Sequence, residues 1–291
     1  IITFMIKPEI IIITGANSGI GKSTAIGLAK QGKTIIMVCR NQERGENARK
    51  EIILKSGNDN IFLELCDLSS HRSIMESTNR IRKTFGYIDV LIYNAGAIFG
   101  KHLLTADGLE QTFGLNHMGY FLFTHYSLDL LKAGTTKRIV NVSSLAHKFV
   151  SSIPWSDLQL NNVKYKQLKS YSLSKLYNIF FTIILAQKLE ADNITVNCLH
   201  PGIIYSGFGA SGTNFFSALV KLGGPFLSSP EKGAKTSIYL ASSPQVKDDT
   251  GHYYAHQKKA KITSKAKSMD NATQLWVRTM ALAGISEYGV M

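Results

Sequence analysis

Cysteine is scarce in this chain: Cys39, Cys66 and Cys198 are all there are in 291 residues. The number is odd, none are spaced as metal ligands, and each lies at or near the end of an apolar run. This speaks against a disulfide framework and a metal site. It fits small buried hydrophobes in a reducing compartment, so a cytoplasmic location is expected. Long hydrophobic runs are missing too. The longest, Leu176 to Ala186, is about half of the roughly 20 residues a spanning helix needs, and it reads as a buried helix. The opening "IITFMI" is apolar but shorter still. It lacks the basic start and cleavage site of a signal peptide, and Met5 can be read as the start after four foreign residues. Acidic residues are the third shortage: 20 stand against 33 lysines and arginines, a formal net charge of +13. Such an excess suits nucleic acid, an anionic membrane surface, an anionic cofactor or a plain solvated face. Lys258, Lys259, Lys261, Lys265 and Lys267 crowd one late segment. No aromatics are interleaved to stack bases, so no nucleic-acid partner is expected. The segment reads as solvated, with weak contact to anionic lipid as the second reading. Internal repeats and low-complexity linkers are also absent.

What is present is ample apolar material: 44% of residues are hydrophobic and 18% charged, enough for a sizeable core. It falls into short β-rich runs at Ile10–Thr14, Thr34–Cys39, Ile61–Cys66, Val90–Tyr93, Arg138–Val142 and Thr195–Leu199. Continuous apolar runs of this length suit strands buried on both faces. Between them lie helix-length segments such as Lys22–Gln31, Asn41–Ser56 and Ser73–Phe85. The alternation predicts a single α/β domain over 1–291: a doubly wound, Rossmann-like parallel sheet with helices on both faces. Residues 5–205 would form the core and 231–291 the C-terminal part. The stretch Ser206–Pro230, rich in Gly, Ser and Phe, reads as a substrate loop. Phe208, Phe215 and Phe216 suggest a greasy lid there, or ordinary core.

The stretch "ITGANSGIGKST" at Ile13–Thr24 can be read as two kinds of phosphate cradle. As a P-loop it would grip ATP or GTP, with Asp67 as the later Mg²⁺ aspartate. Ala16 stands where that loop needs its first glycine, and Gly15 is one residue early. As a dinucleotide turn it needs a strand, glycines and a helix, and all three follow in order. The glycines permit the tight turn and let backbone approach a pyrophosphate at the helix N-terminus. After the second strand comes Arg40, where an NAD enzyme would carry an acid. A fixed cation there suits a 2′-phosphate, so NADP(H) is the expected cofactor.

The motifs together resemble the short-chain dehydrogenase/reductase family. "TGANSGIG" (14–21) is similar to its glycine turn, "DL" at Asp67–Leu68 to its adenine contact, and "NAG" at Asn94–Gly96 to the turn after its fourth strand. "VNVSS" (140–144), "YSLSK" (171–175) and "HPG" (200–202) are similar to its serine segment, its Tyr-x-x-x-Lys pair and its nicotinamide-side turn. "SSLAHK", "SPEKGAKTSIYLAS" and "ATQLWVR" resemble the retinol dehydrogenase-like branch, which acts on retinoids, lipid aldehydes or steroids. The resemblance implies an oxidoreductase with Asn116, Ser144, Tyr171 and Lys175 as its catalytic set. It implies cofactor contacts from Gly15, Asn17, Ser18, Gly19, Ile20, Gly21, Arg40, Asp67, Leu68, Asn94, Ala95, Gly96, Tyr171, Lys175, Pro201, Gly202 and Ser206.

Tyr171 and Lys175 are spaced i, i+4, so they share a helix face. A phenol titrates near 10, poorly matched to neutral pH, and the ammonium, with the positive nicotinamide of the oxidised cofactor, is expected to stabilise the phenolate and lower it. Neighbouring Ser143 can compete for the role of Ser144. The segment between Ser144 and Tyr171, with Pro154, Trp155 and Tyr165, is expected to be a surface excursion that leaves the site intact. His147 and His200 read as a loop residue and a strand-end residue, without a metal. The helix "LYNIFFTIILA" (176–186) carries more apolar surface than one sheet face needs. In family relatives the matching helix packs on its symmetry mate, so a homodimer or homotetramer is expected.

Overall fold

A computed structural model describes residues 7–202 and 229–290. The central element is one eight-stranded sheet: β1 (Ile10–Thr14), β2 (Thr34–Cys39), β3 (Ile61–Leu65), β4 (Val90–Tyr93), β5 (Arg138–Val142), β6 (Thr195–Leu199), β7 (Tyr253–Ala255) and β8 (Lys258–Lys259). The strand order is β3-β2-β1-β4-β5-β6-β7-β8. Every pairing is parallel except the last, β7 with β8.

The helices are α1 (Gly19–Ala29), α2 (Gln42–Ser56), α3 (His71–Phe85), the single turn α4 (Gln111–Phe113), α5 (Gly119–Lys132), α6 (Gln167–Lys188), α7 (Pro230–Ser242) and α8 (Met269–Ala283). A π-helical segment, Gly114–Met118, joins α4 to α5. α1 packs on α2 and α7, while α3 packs on α5 and α6 on α8. Two apolar cores result, one on each side of the sheet. The strand order switches sides at the parallel β1–β4 pair, with β2 and β3 added on one side and β5 onward on the other, which opens a crevice at their C-terminal ends, the place where such sheets bind ligands.

Four of the six expected strands carry the predicted bounds and are buried along their length. β6 has its bounds too, with only Thr195 partly exposed. β3 departs from the expectation of burial on both faces. It is the sheet edge, so Phe62 and Leu65 are exposed, and Phe62 lies edge-on against Phe85 at 5.1 Å.

The apolar side of α6 is also resolved differently from the sequence expectation. Phe181 stacks on Trp276 of α8 at 6.3 Å. Trp276 in turn lies 5.1 Å from Phe121 and 4.6 Å from Tyr288. The surface that suggested a homodimer is therefore covered by the chain's own C-terminal part. Among the described residues, no helix is long and apolar enough to cross a membrane.

Candidate active site

β1 runs into a turn that only glycine can make. Gly15 and Gly19 have φ of +66° and +53°, where a side chain is strained. Gly21 is held by space instead: a Cβ there would sit 2.4 Å from both Asn94 Nδ2 and the Gly15 carbonyl. Ser18 caps α1 in extended geometry but lends no side-chain hydrogen bond. The first N–H groups of α1 are thus uncapped by a side chain, as an anion site at a helix N-terminus requires. Asn17 and Ile20 flank this turn, both partly exposed. The P-loop reading fails on Lys22. Its ammonium pairs with Glu51 of α2 at 2.5 Å, away from where phosphates would lie.

Arg40 and Asp67 follow the ends of β2 and β3, with Arg40 Nη1 4.0 Å from Asp67 Oδ2. Arg40 is exposed, while the other Asp67 oxygen accepts from Ser69 N and Oγ at 2.9 and 2.6 Å. Leu68 is buried beside them. Across the crevice, Asn94 and Ala95 both donate their backbone N–H to Thr14 Oγ1 at 3.0 Å. The Asn94 amide donates to the Thr14 carbonyl at 3.0 Å. Asn94 is therefore a brace between β1 and β4. Thr14 is its counterpart, and no sequence motif had marked it as such. The Ala95 carbonyl accepts from Tyr120 OH at 2.5 Å.

The π-helical segment turns Asn116 inward, fully buried. Its Oδ1 accepts from Ala97 N at 2.9 Å, and its Nδ2 donates to the Ala97 carbonyl at 2.9 Å and to Ser174 Oγ at 3.0 Å. A Cβ on Gly96 would lie 3.3 Å from both Asn116 Oδ1 and Lys175 Nζ, so the three meet at one point. Lys175 is buried, and its Nζ donates to the Val142 carbonyl at 2.9 Å. Ser144 lies near enough to Tyr171 to draw its phenol's pKa down, and Lys175 Nζ lies 5.6 Å from the Tyr171 ring centre. Ser143 is spent elsewhere: its hydroxyl donates to the Lys175 carbonyl at 2.7 Å.

Burial pushes the Tyr171 phenol up to about 12, against a smaller downward pull from Ser144. Burial pulls Lys175 down to about 7. The protein's own groups thus hold the phenol above its ordinary value, because desolvation outweighs the pull from Ser144; the expected lowering needs the positive nicotinamide as well.

His147 donates Nδ1–H to the Ser144 carbonyl at 2.7 Å. Its ring lies against Tyr253 at 5.2 Å, and burial lowers its pKa. His200, just past β6, accepts from Gly202 N at 3.1 Å. Pro201 and Gly202 are partly exposed at the same strand end. Ser206, Phe208, Phe215 and Phe216 lie outside the described residues, as does most of the expected substrate loop.

The segment between Ser144 and Tyr171 is more than a surface excursion. Leu158 and Leu160 are buried in the core. The Tyr165 hydroxyl donates to Glu110 at 3.0 Å, and the Gln159 carbonyl lies 2.9 Å from His102 Nε2. The late lysine segment is only partly solvated. Lys259 pairs with Asp249 at 2.9 Å, and Lys265 donates to the Val150 carbonyl at 2.9 Å.

Comparison with known proteins agrees with this geometry. Residues 9–214 match the family described as short chain dehydrogenase. Human retinol dehydrogenase 13 is 38% identical over 288 residues, covering 96% of this chain and 86% of that protein. Among solved structures, an uncharacterized protein from Mycobacterium paratuberculosis superposes with a TM-score of 0.76 at 29% identity, over 97% of each chain. A variant of actinorhodin polyketide ketoreductase with NADPH gives a TM-score of 0.68 at 25% identity, over 84% of this chain and 94% of that one.

Proposed function

The chain belongs to the short chain dehydrogenase family, in its retinol dehydrogenase-like branch, and from that premise we propose that it moves a hydride between NADP(H) and an apolar alcohol or carbonyl compound. The observation that carries this reading is the meeting of Ser144, Tyr171, Lys175 and Asn116 beside Gly96.

The residues present fit a nicotinamide dinucleotide. The turn from Gly15 to Gly21 and the uncapped start of α1 suit its pyrophosphate. Asp67 and Leu68 would take the adenine, and Arg40 the 2′-phosphate. The Asn94–Gly96 turn, Lys175, Pro201 and Gly202 would hold the nicotinamide half. When bound, the cofactor supplies or accepts the hydride.

The chain's own groups handle the oxygen. Ser144 Oγ already accepts from Ala146 N at 3.1 Å, which leaves its proton to be donated to a substrate oxygen as negative charge develops there. Tyr171, kept protonated by burial, is the proton donor in reduction. Asn116 fixes the Ala97 backbone and Ser174, and so the floor on which Lys175 sits. An apolar substrate is supported by the retinol dehydrogenase relatives.

The test is NADPH consumption against a panel of aldehydes and ketones, retinaldehyde included, with Tyr171→Phe alongside. The wild type should turn over at least one carbonyl class. The variant should lose about 10²–10⁴-fold in turnover while binding NADPH as before. NADPH binding with no turnover of any carbonyl would mark an idle binder instead. Unchanged turnover in Tyr171→Phe would overturn the mechanism.

A further inference from the structure

We infer that Glu110 is a positioning residue for the proposed reaction, locking the start of the helix that carries Asn116 to the start of the helix that carries Tyr171. The inference rests on the hydride-transfer reading above. Glu110 is 1% exposed, and among the described residues no ion pair includes it. Its carboxyl group instead collects four donors. Oε1 accepts from Thr112 N at 2.9 Å and from the Tyr165 hydroxyl at 3.0 Å. Oε2 accepts from Phe113 N at 2.8 Å and from the Ser170 hydroxyl at 3.0 Å.

The two backbone N–H groups make Glu110 the cap of α4. A cap needs no more than that, and a serine or aspartate would serve. The two hydroxyls are the surplus, and both come from elements of the site. Ser170 immediately precedes Tyr171. Tyr165 ends the long segment between Ser144 and Tyr171 and also lies 3.3 Å from the Phe99 carbonyl. One turn further along α6 the pattern repeats, with Asn116 Nδ2 donating to Ser174 Oγ at 3.0 Å, and Ser174 immediately precedes Lys175. The two helices are thus joined by two rungs, Glu110–Ser170 and Asn116–Ser174. Each rung sits one residue before a side chain of the site. A carboxylate that saturates both oxygens is a stiff node, and misplacement of a reacting group by about 1 Å can cost about 10²-fold in rate.

Ser170→Ala removes the first rung and leaves the α4 cap whole. Glu110→Gln keeps the volume, but its NH₂ cannot accept from the donors on that oxygen. On whichever carbonyl the wild type reduces, turnover should fall about 10-fold or more in both variants. The pH profile of turnover should shift with it. NADPH affinity by fluorescence titration should stay within about 2-fold of wild type, because Glu110 itself touches none of the residues assigned to the cofactor. Should Glu110→Gln fail to fold, Ser170→Ala decides alone. A crystal structure of Ser170→Ala gives a readout free of activity, in which the Tyr171 hydroxyl should be displaced from Ser144. An unmoved Tyr171, or wild-type turnover and pH profile in Ser170→Ala, overturns the positioning role and leaves Glu110 a cap. Absence of turnover in the wild type would count against the hydride-transfer reading, and the Tyr171 displacement would still decide on Glu110.

Discussion

Ser143 donates its hydroxyl to the Lys175 carbonyl at 2.7 Å, while its neighbour Ser144 faces Tyr171 and draws its phenol's pKa down. Successive side chains at a strand end point to opposite sides, so adjacent serines have different work. Ser144→Ala should cut turnover by about 10²–10³-fold, as loss of one donor to a developing oxyanion does, with NADPH affinity unchanged. Ser143→Ala should cost about 0.5–1.5 kcal/mol in urea unfolding, the worth of one hydrogen bond, and change turnover only a few-fold. The opposite pattern would move the role to Ser143.

The strands were readable because each is a short apolar run, and the glycine turn because its spacing is fixed by backbone geometry. Arg40, Tyr171 and Lys175 were readable by position within motifs. Thr14 heads a motif, but its bracing role was not readable, and neither was Glu110. Both reach far along the chain, Thr14 to Asn94 and Glu110 to Tyr165 and Ser170, and no local pattern records such bonds. The cover over α6 was missed for the same reason, since nothing in "LYNIFFTIILA" tells that Trp276 will lie on it.

Arg40 is exposed and makes only a loose ion pair with Asp67, at 4.0 Å, among the described residues, so its charge contributes little to the fold there. Arg40→Asp should weaken NADPH binding by about 10–100-fold, the worth of about 1.5–3 kcal/mol for hydrogen bonds to a charged group. The second acid beside Asp67 would repel a 2′-phosphate further. NADH affinity should change little. Titrating both cofactors against both proteins checks this, and unchanged NADPH affinity would remove Arg40 from the cofactor assignment.

Trp276 covers the apolar face formed by Phe121 and Phe181. With that cover in place the chain has no need of a partner there, and light scattering should give the mass of one chain. Trp276→Ala should destabilise by about 3–5 kcal/mol, as large-to-small core changes do. It should also make the mass depend on concentration, because the bared aromatic face would seek a second copy. A wild-type mass of two or more chains would bear out the sequence expectation of a homo-oligomer and place its contact on another surface.

His117 should tie stability to acid pH. It is 1% exposed, with Nε2 2.9 Å from Thr279 Oγ1 and Nδ1 without a partner among the described residues. Its ring is boxed by Phe113, Tyr177 and Phe181. Burial pulls its pKa from 6.5 down to about 3. His200 is pulled from 6.5 to about 4, by burial first and by nearby His256, His147 and Lys148 after it. A base whose folded pKa lies below its unfolded value is neutral in the native state while the unfolded chain already holds the proton. Between those two pKa values the unfolded state binds more protons, so stability falls as pH falls. For His117 the window runs from 6.5 to about 3, and for His200 from 6.5 to about 4. Well inside both windows each histidine contributes a slope of about 1.4 kcal/mol per pH unit. Urea unfolding at pH 7, 6, 5 and 4.5 measures the combined loss. His117→Gln keeps a polar group near Thr279 but cannot titrate, so its slope between about pH 6 and 4.5 should be shallower by about one histidine's share. An identical slope in the variant would mean that His117 is already protonated in the native protein, which its apolar cage argues against.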